Sequence, residues 1–207
     1  MSEFNEVVAV AGCSRCGSTL MMQALEAGGM PVYHGGNRVG YECDESQEAL
    51  MSGSADFLRA IPGHAVKLLD PQRVATPYVP IAWIWMWRDA EQQALSQIKF
   101  MGQMFSLIRP DAKRLAASLR KDNERVPVEL MRRPKSRVLV VDFARLLAVP
   151  YRVMAEVVGF INRPMDIAAM TKVVQPRGPE CAVGLDIELR SMKERGDSAL
   201  AVKESAE

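Results

Sequence analysis

The sequence predicts an α/β fold in which a central, mainly parallel sheet is flanked by helices in three layers. Two observations carry that expectation. Short runs at 7–11, 81–87 and 138–142 are apolar on both faces and rich in β-branched and aromatic residues, as strands covered on both sides must be. Between them lie segments whose apolar residues recur every three or four positions, the helical period. At 207 residues and 48% hydrophobic, the chain suffices for one two-sided core. A single domain over 1–207 is expected, with its core at about 5–175 and a charged helix or tail at about 186–207.

The first strand, 7–11, is followed by Leu20, Met21, Ala24, Leu25 and Gly28 at helical spacing, so the period changes across 12–19. The intervening loop therefore leaves a strand's carboxyl end, where α/β sheets bind ligands. The free amides and dipole of a helix start favour an anion there. Gly12 and Gly17 let the backbone approach closely, Ser18 and Thr19 add hydroxyls, and Arg15 adds a fixed charge with a planar fork of donors. The parts suit a phosphate or sulfate ester. Cys13-Ser14-Arg15-Cys16 also forms a CxxC at a helix start, where a thiolate would be stabilised; two unpaired thiols are the plainer reading.

Residues 30–33 fit a short strand, and Gly35, Gly36 and Gly40 punctuate a loop that runs to Asp44. A helix is predicted over 45–58, stopped by Ile61-Pro62-Gly63, and a core strand over 64–69, bounded by Asp70-Pro71. The strand at 81–87 sets Trp83, Trp85 and Trp87 on one face and Ile84 and Met86 on the other, a pattern of core packing. Arg88-Asp89 ends it, and Asp89 with Gln92 fits a capping box for a helix to about Met101. Residues 111–130 read as a helix or helical pair interrupted by Pro127. The buried strand 138–142 leads to a helix over 151–161, with Val153, Met154, Val157, Val158 and Ile161 on one face. A short strand is expected at 171–174, a turn at Pro176-Arg177-Gly178-Pro179, and an amphipathic helix around Ile187, Leu189 and Met192.

Composition narrows the function classes. A net charge of +1 supplies no field that demands nucleic acid or an anionic membrane, and no apolar run approaches the ~20 residues of a membrane span. MSEFNEVV lacks the basic start and apolar stretch of a secretion signal, so a cytoplasmic protein is expected. Four cysteines make no convincing disulfide framework, and with His34 and His64 solitary no metal is expected.

Gly12-x4-Gly17 has the spacing of a nucleotide-triphosphatase P-loop, but Ser18 stands where that motif needs lysine. With Arg15 inside and Gly17-Ser18-Thr19 closing it, the loop instead resembles the 5′-phosphosulfate loop of sulfotransferases that use 3′-phosphoadenosine 5′-phosphosulfate (PAPS). Ser14 replaces the family's frequent proline, Cys16 its usual serine and Ser18 a common threonine. WRDAEQQALSQIK resembles the family segment whose Arg and Ser bind the donor's 3′-phosphate, here Arg88 and Ser96. VLVVDFARLLAVPYRVMAEVVGFI resembles the late core strand and following helix, which makes Asp142 structural rather than metal-binding. Arg177-Gly178 resembles the basic segment that closes on the 3′-phosphate. The likeness spans 7–161 and is strongest to bacterial sulfotransferase-like proteins.

The resemblance implies a P-loop-like fold and transfer of a sulfuryl group from PAPS to a hydroxyl or amine, with no metal. Arg15 would meet the charge developing on the leaving 5′-phosphate, with Ser14, Cys16, Gly17, Ser18 and Thr19 around it. Arg88, Ser96 and Arg177 would hold the 3′-phosphate. Two separated anion pockets are thus expected at opposite ends of one adenosine bisphosphate. Glu42, in a segment similar to a Gly-Tyr-x-Glu region of the bacterial relatives, and His34 are the candidate general bases, with His64 a third; the loop punctuated by Gly35, Gly36 and Gly40 would wall the acceptor site. Lys67 either points into the cleft or snorkels at a sheet end. The acceptor is a small molecule or is presented by a partner, and homo-oligomerisation is left open. The alternatives are a nonenzymatic nucleotide- or anion-binding or interaction module on this fold, and a divergent P-loop kinase.

Overall fold

A computed structural model describes residues 5–35, 40–75, 79–104 and 110–175 of the chain. Its strands are β1 (Val7–Gly12), β2 (Val32–Tyr33), β3 (Ala65–Leu69), β4 (Ile81–Trp87) and β5 (Ser136–Asp142). Its helices are α1 (Ser18–Ala27), α2 (Asp44–Ser52), α3 (Ala90–Met104), α4 (Ala112–Met131), α5 (Phe143–Ala148), α6 (Pro150–Ile161) and α7 (Ile167–Val173). All five strands are parallel, in the order β2-β3-β1-β4-β5. The pairing of Gly12 with Leu69, and of Trp87 with Asp142, brings the carboxyl ends of β1, β3, β4 and β5 to one edge of the sheet. This is the predicted α/β architecture, and it places the β1–α1 loop at the centre of that edge.

The core has two parts, because alternate strand residues point to opposite faces. Val8, Val10, Ala82, Ile84 and Met86 pack with α1, α5, α6 and α7, while Val7, Ala9, Ala11, Ile81, Trp83 and Trp85 pack with α2, α3 and α4. Trp83 and Trp85 are at most 1% exposed, so the tryptophan stripe is core. Burying one such ring removes ~150–250 Å² from water, at most about 4–6 kcal/mol. The Trp85 indole nitrogen has no hydrogen-bond partner among the described residues, a cost of about 1–3 kcal/mol that the ring's burial exceeds.

Four elements differ from their sequence expectations. The helix predicted over 45–58 stops at Ser52, because Gly53 takes a left-handed φ of 77° and a 3-10 turn, Asp56–Ala60, follows. Pro127 does not break α4: buried Leu119, Val126 and Leu130 anchor the helix on both sides of it, and that packing outweighs a cost of about 3 kcal/mol. Residues 171–174 end a helix rather than form a strand. Asp166 caps α7 by accepting from the Ala169 amide at 2.9 Å, and Met170 fills the space left by the missing side chain of Gly28. Finally, β5 is an edge strand with Val140 47% exposed, not a strand buried on both faces. Asp142 caps α5, accepting from the amides of Ala144 and Arg145 at 2.8 and 3.4 Å, the structural role expected of it. Among the described residues no helix is long and apolar enough to cross a membrane. The turn containing Arg177 and the C-terminal amphipathic segment lie outside the described residues.

Candidate functional site

The loop between β1 and α1 is shaped by contacts that exclude side chains at its glycines. A Cβ on Gly12 would lie 2.6 Å from the Cys16 sulfur and 2.9 Å from the Met86 carbonyl oxygen. At Gly17 it would lie 2.4 Å from the Phe143 ring, and Gly17 also has φ 99°. Arg15 holds a left-handed φ of 68°, a strained conformation for a residue with a Cβ and a frequent mark of ligand sites. Gly17 is the N-cap of α1 and offers no side-chain cap, which leaves first-turn amides for an anion.

The hydroxyls beside the loop differ. Ser18 is buried, and both its amide and its hydroxyl are directed at the Cys16 thiol. Thr19 is partly exposed, and its Oγ1 accepts from the Lys67 ammonium at 3.0 Å. A hydroxyl that accepts in this way keeps its proton to donate, so Thr19, unlike the buried Ser18, is a hydroxyl able to donate outward.

Helix α3 and the end of β4 hold the loop from one side. Gln93 donates to the carbonyls of Cys13 and Ser14 at 3.0 and 2.8 Å, and Gln97 donates to Ser14 at 2.8 Å. Arg88 donates to the carbonyl of Arg15 at 3.0 Å and stacks 5.0 Å above the Phe143 ring. Arg15 Nε donates to Ser96 Oγ at 3.3 Å, and its guanidinium lies over the Phe100 ring. Asn123 of α4 closes the network, donating to the Arg88 carbonyl at 3.2 Å and to Gln93 Oε1 at 3.4 Å. Asp89 caps α3 through the Gln92 amide, as its place in the sequence predicts. Arg15, Arg88 and Ser96 therefore meet in one continuous polar cluster. Arg15 spans to Ser96, and Arg88, only 6% exposed, turns in against the loop backbone, so the two guanidinium groups assigned to opposite ends of one ligand lie on the same side of the molecule.

The opposite side of the edge centres on Lys67 of β3. Its ammonium, 3% exposed as a residue, also donates to the Gly40 carbonyl at 2.9 Å and to Glu42 Oε1 at 2.8 Å. It neither snorkels nor stands clear in a cleft: it ties the segment at 40–42 to Thr19. The structure thus links Glu42, through Lys67, to the first turn of α1 beside the β1–α1 loop. His34 follows Tyr33, whose partner in the sheet is Val66, and so lies on the same carboxyl side. His64 precedes β3 at the opposite edge, with Nδ1 3.0 Å from the Pro62 carbonyl, and is not part of the site.

Burial decides the state of the loop thiols. Cys13 and Cys16 are both buried, and desolvation pushes each thiol well above its ordinary pKa, against the activation a redox pair needs. Among the described residues no group of three or more His, Cys, Asp and Glu side chains is placed to hold a metal ion.

Gln97, Asn123, Phe100 and Phe143 were not singled out by the sequence reading. Gln93 and Ser96 lie on a stripe that Gln97 extends by one turn, the one signal for this role; Asn123 and the two rings come from tertiary packing.

No protein-family model and no curated protein sequence matches the chain. Solved structures do. The chain is similar to a mouse sulfotransferase, SULT7A1, crystallised with 3′-phosphoadenosine 5′-phosphate (PAP), with a TM-score of 0.51, 11% identity and 82% of this chain covered. It is similar to the sulfotransferase domain of the Synechococcus PCC 7002 olefin synthase, with a TM-score of 0.51, 15% identity and 89% covered. A sulfotransferase domain of the curacin biosynthetic pathway gives a TM-score of 0.52, 14% identity and 90% covered. The chain spans 63% of the mouse protein's length and 82% and 83% of the two pathway domains. At these identities the likeness establishes the fold: the chain is built as sulfotransferases are.

Proposed function

We propose that the protein is a sulfotransferase that moves a sulfuryl group from PAPS to a hydroxyl or amine of a small-molecule or partner-presented acceptor. The observation that carries this reading is the meeting of Arg15, Ser96 and Arg88 beside the uncapped start of α1. A loop lined by amides, a hydroxyl and guanidinium groups suits an anionic donor, and a fold shared with a PAP-bound sulfotransferase supports this donor over ATP.

In the proposed reaction the acceptor oxygen or nitrogen forms a bond to sulfur while the bond from sulfur to the bridging oxygen of the 5′-phosphate breaks. PAP leaves, and the acceptor's proton passes to a base. Catalysis of this kind is positioning plus stabilisation of charge on the leaving oxygen. Arg15 supplies the guanidinium for that charge, with the backbone of Ser14, Cys16 and Gly17 and the Thr19 hydroxyl around it. Ser18 contributes by fixing Cys16 from beneath. Arg88 and Ser96 hold the 3′-phosphate side of the same cluster, with Arg177 as a third group in the proposal. Glu42 is the base favoured by position, since Lys67 links it to Thr19; His34 is the alternative.

Calorimetric titration tests the donor. PAP binding in preference to ATP with magnesium is expected, and the reverse preference would favour a kinase. Arg15→Ala should lower turnover by about 100-fold with little change in PAP affinity, whereas Arg88→Ala should weaken PAP binding by about tenfold. Wild-type affinity in Arg88→Ala would count against the assignment. A second reading, a nucleotide-binding module without transfer, is favoured by the engagement of Glu42 with Lys67. It predicts PAP binding with no turnover for any hydroxyl or amine acceptor.

A further inference from the structure

We propose that Gln93 and Gln97 are positioning residues of the anion loop, acting on its carbonyls so that its amides face the ligand; this rests on the reading of the loop as the donor site. In a planar trans peptide the carbonyl of one residue and the amide of the next point in opposite directions. Gln93, Gln97 and Arg88 draw three successive carbonyls, those of Cys13, Ser14 and Arg15, toward the β4–α3 side. The amides of Ser14 and Arg15 are thereby turned away from α3, whereas that of Cys16 is directed at its own buried sulfur. Successive amides converging in this way make an anion-binding concavity.

Two further facts distinguish this from incidental packing. Gln93 is fully buried, where a side-chain amide is tolerated only if its polar atoms are bonded. Its orientation is also fixed: Asn123 donates to Oε1, which commits the amino group of Gln93 to the loop carbonyls. Gln97, partly exposed and one turn further along α3, places a second donor on Ser14, the residue just before the strained Arg15. A loop with a non-glycine residue at φ 68° is held there by its surroundings, and these donors are what its surroundings supply.

The test substitutes Gln97→Met, which keeps length and removes the donor, and Gln93→Met as the buried counterpart. PAP affinity is measured by calorimetry, thermal unfolding is followed in parallel, and amide hydrogen exchange is read over residues 14–19 without ligand. For Gln97→Met the expectation is affinity about five- to tenfold weaker, a melting temperature within about 2 °C of wild type, and faster exchange confined to the loop. Gln93→Met should exceed it in both exchange and affinity loss. If wild type binds PAP and Gln97→Met binds it equally well, the positioning role is overturned while the donor reading stands. If wild type does not bind PAP, the donor reading fails, and the exchange data still decide the clamp: unchanged loop exchange in both variants overturns it.

Discussion

The two halves of the sheet's carboxyl edge are fastened in different ways. Around β1 and β4, Gln93, Gln97, Arg88 and Asn123 join three consecutive loop carbonyls, α3 and α4 into one hydrogen-bonded network. Around β2 and β3, the segment at 40–45 is attached through the Lys67 ammonium, which Gly40 and Glu42 share with Thr19, and through separate side-chain bonds of Tyr41 to Glu26 and Glu45 to Tyr33. A connected network responds to damage as a unit, whereas separate attachments respond one at a time. The first plan over-determines a single loop geometry. The second fastens its segment through Lys67, Tyr41 and Glu45 individually.

The largest effect that would sharpen this contrast is expected from Gly17→Ala. The new Cβ meets the Phe143 ring at 2.4 Å while φ stays at 99°, so strain and overpacking combine to about 2–6 kcal/mol. PAP binding should be lost along with stability, as read by calorimetry and melting; wild-type binding would break the claim that the loop is over-determined. Lys67→Met should cost about 2 kcal/mol, since it strands Glu42 and removes the donor to Thr19, yet it should change PAP affinity less than Gly17→Ala does. Glu42→Gln in the same chain should recover part of the loss in denaturant unfolding.

A double-mutant cycle gives the next effect in size. Gln93→Met and Asn123→Ala, partners in one network, should couple by more than about 0.5 kcal/mol, whereas Gln93→Met and Lys67→Met should add within that margin. Equal coupling in both cycles would erase the distinction between the halves.

The smallest effect concerns Asp70, beside the loop, whose amide donates to the Gly12 carbonyl. Burial raises its carboxyl pKa above the ordinary value, so the folded state binds this proton more tightly than the unfolded chain does. Stability contributed by that preference is present in acid and is lost as pH rises from the unfolded pKa through the folded one. Asp70→Asn should therefore be more stable than wild type at about pH 7, with the gain vanishing near about pH 3. Asn also accepts the left-handed φ of 48° there. Urea unfolding at the two pH values decides it.

What was legible in the sequence was what is contiguous in it. The change of period across 12–19 announced the strand, loop and helix, because each is encoded by neighbours. The alternation at 81–87 likewise announced a strand covered on both faces. Pro127 and residues 171–174 misled because tertiary burial of Leu130 and Met170 overrode local propensity. The site was half legible. Arg15, Arg88 and Ser96 stood out by spacing, but their fusion into one cluster depends on how α3 packs across the loop. The role of Lys67 follows from its register beside Val10, a pairing of residues 57 positions apart that no local pattern expresses.

Phe143 lies against Gly17 and beneath Arg88, although it is encoded more than a hundred residues after the loop it shapes. A nascent chain emerging from the ribosome carries every residue of the β1–α1 loop long before it carries the ring that completes its floor. The loop's packed geometry thus becomes available only once α5 is made, and a fragment ending short of α5 would retain the motif while lacking the surface against which it sets.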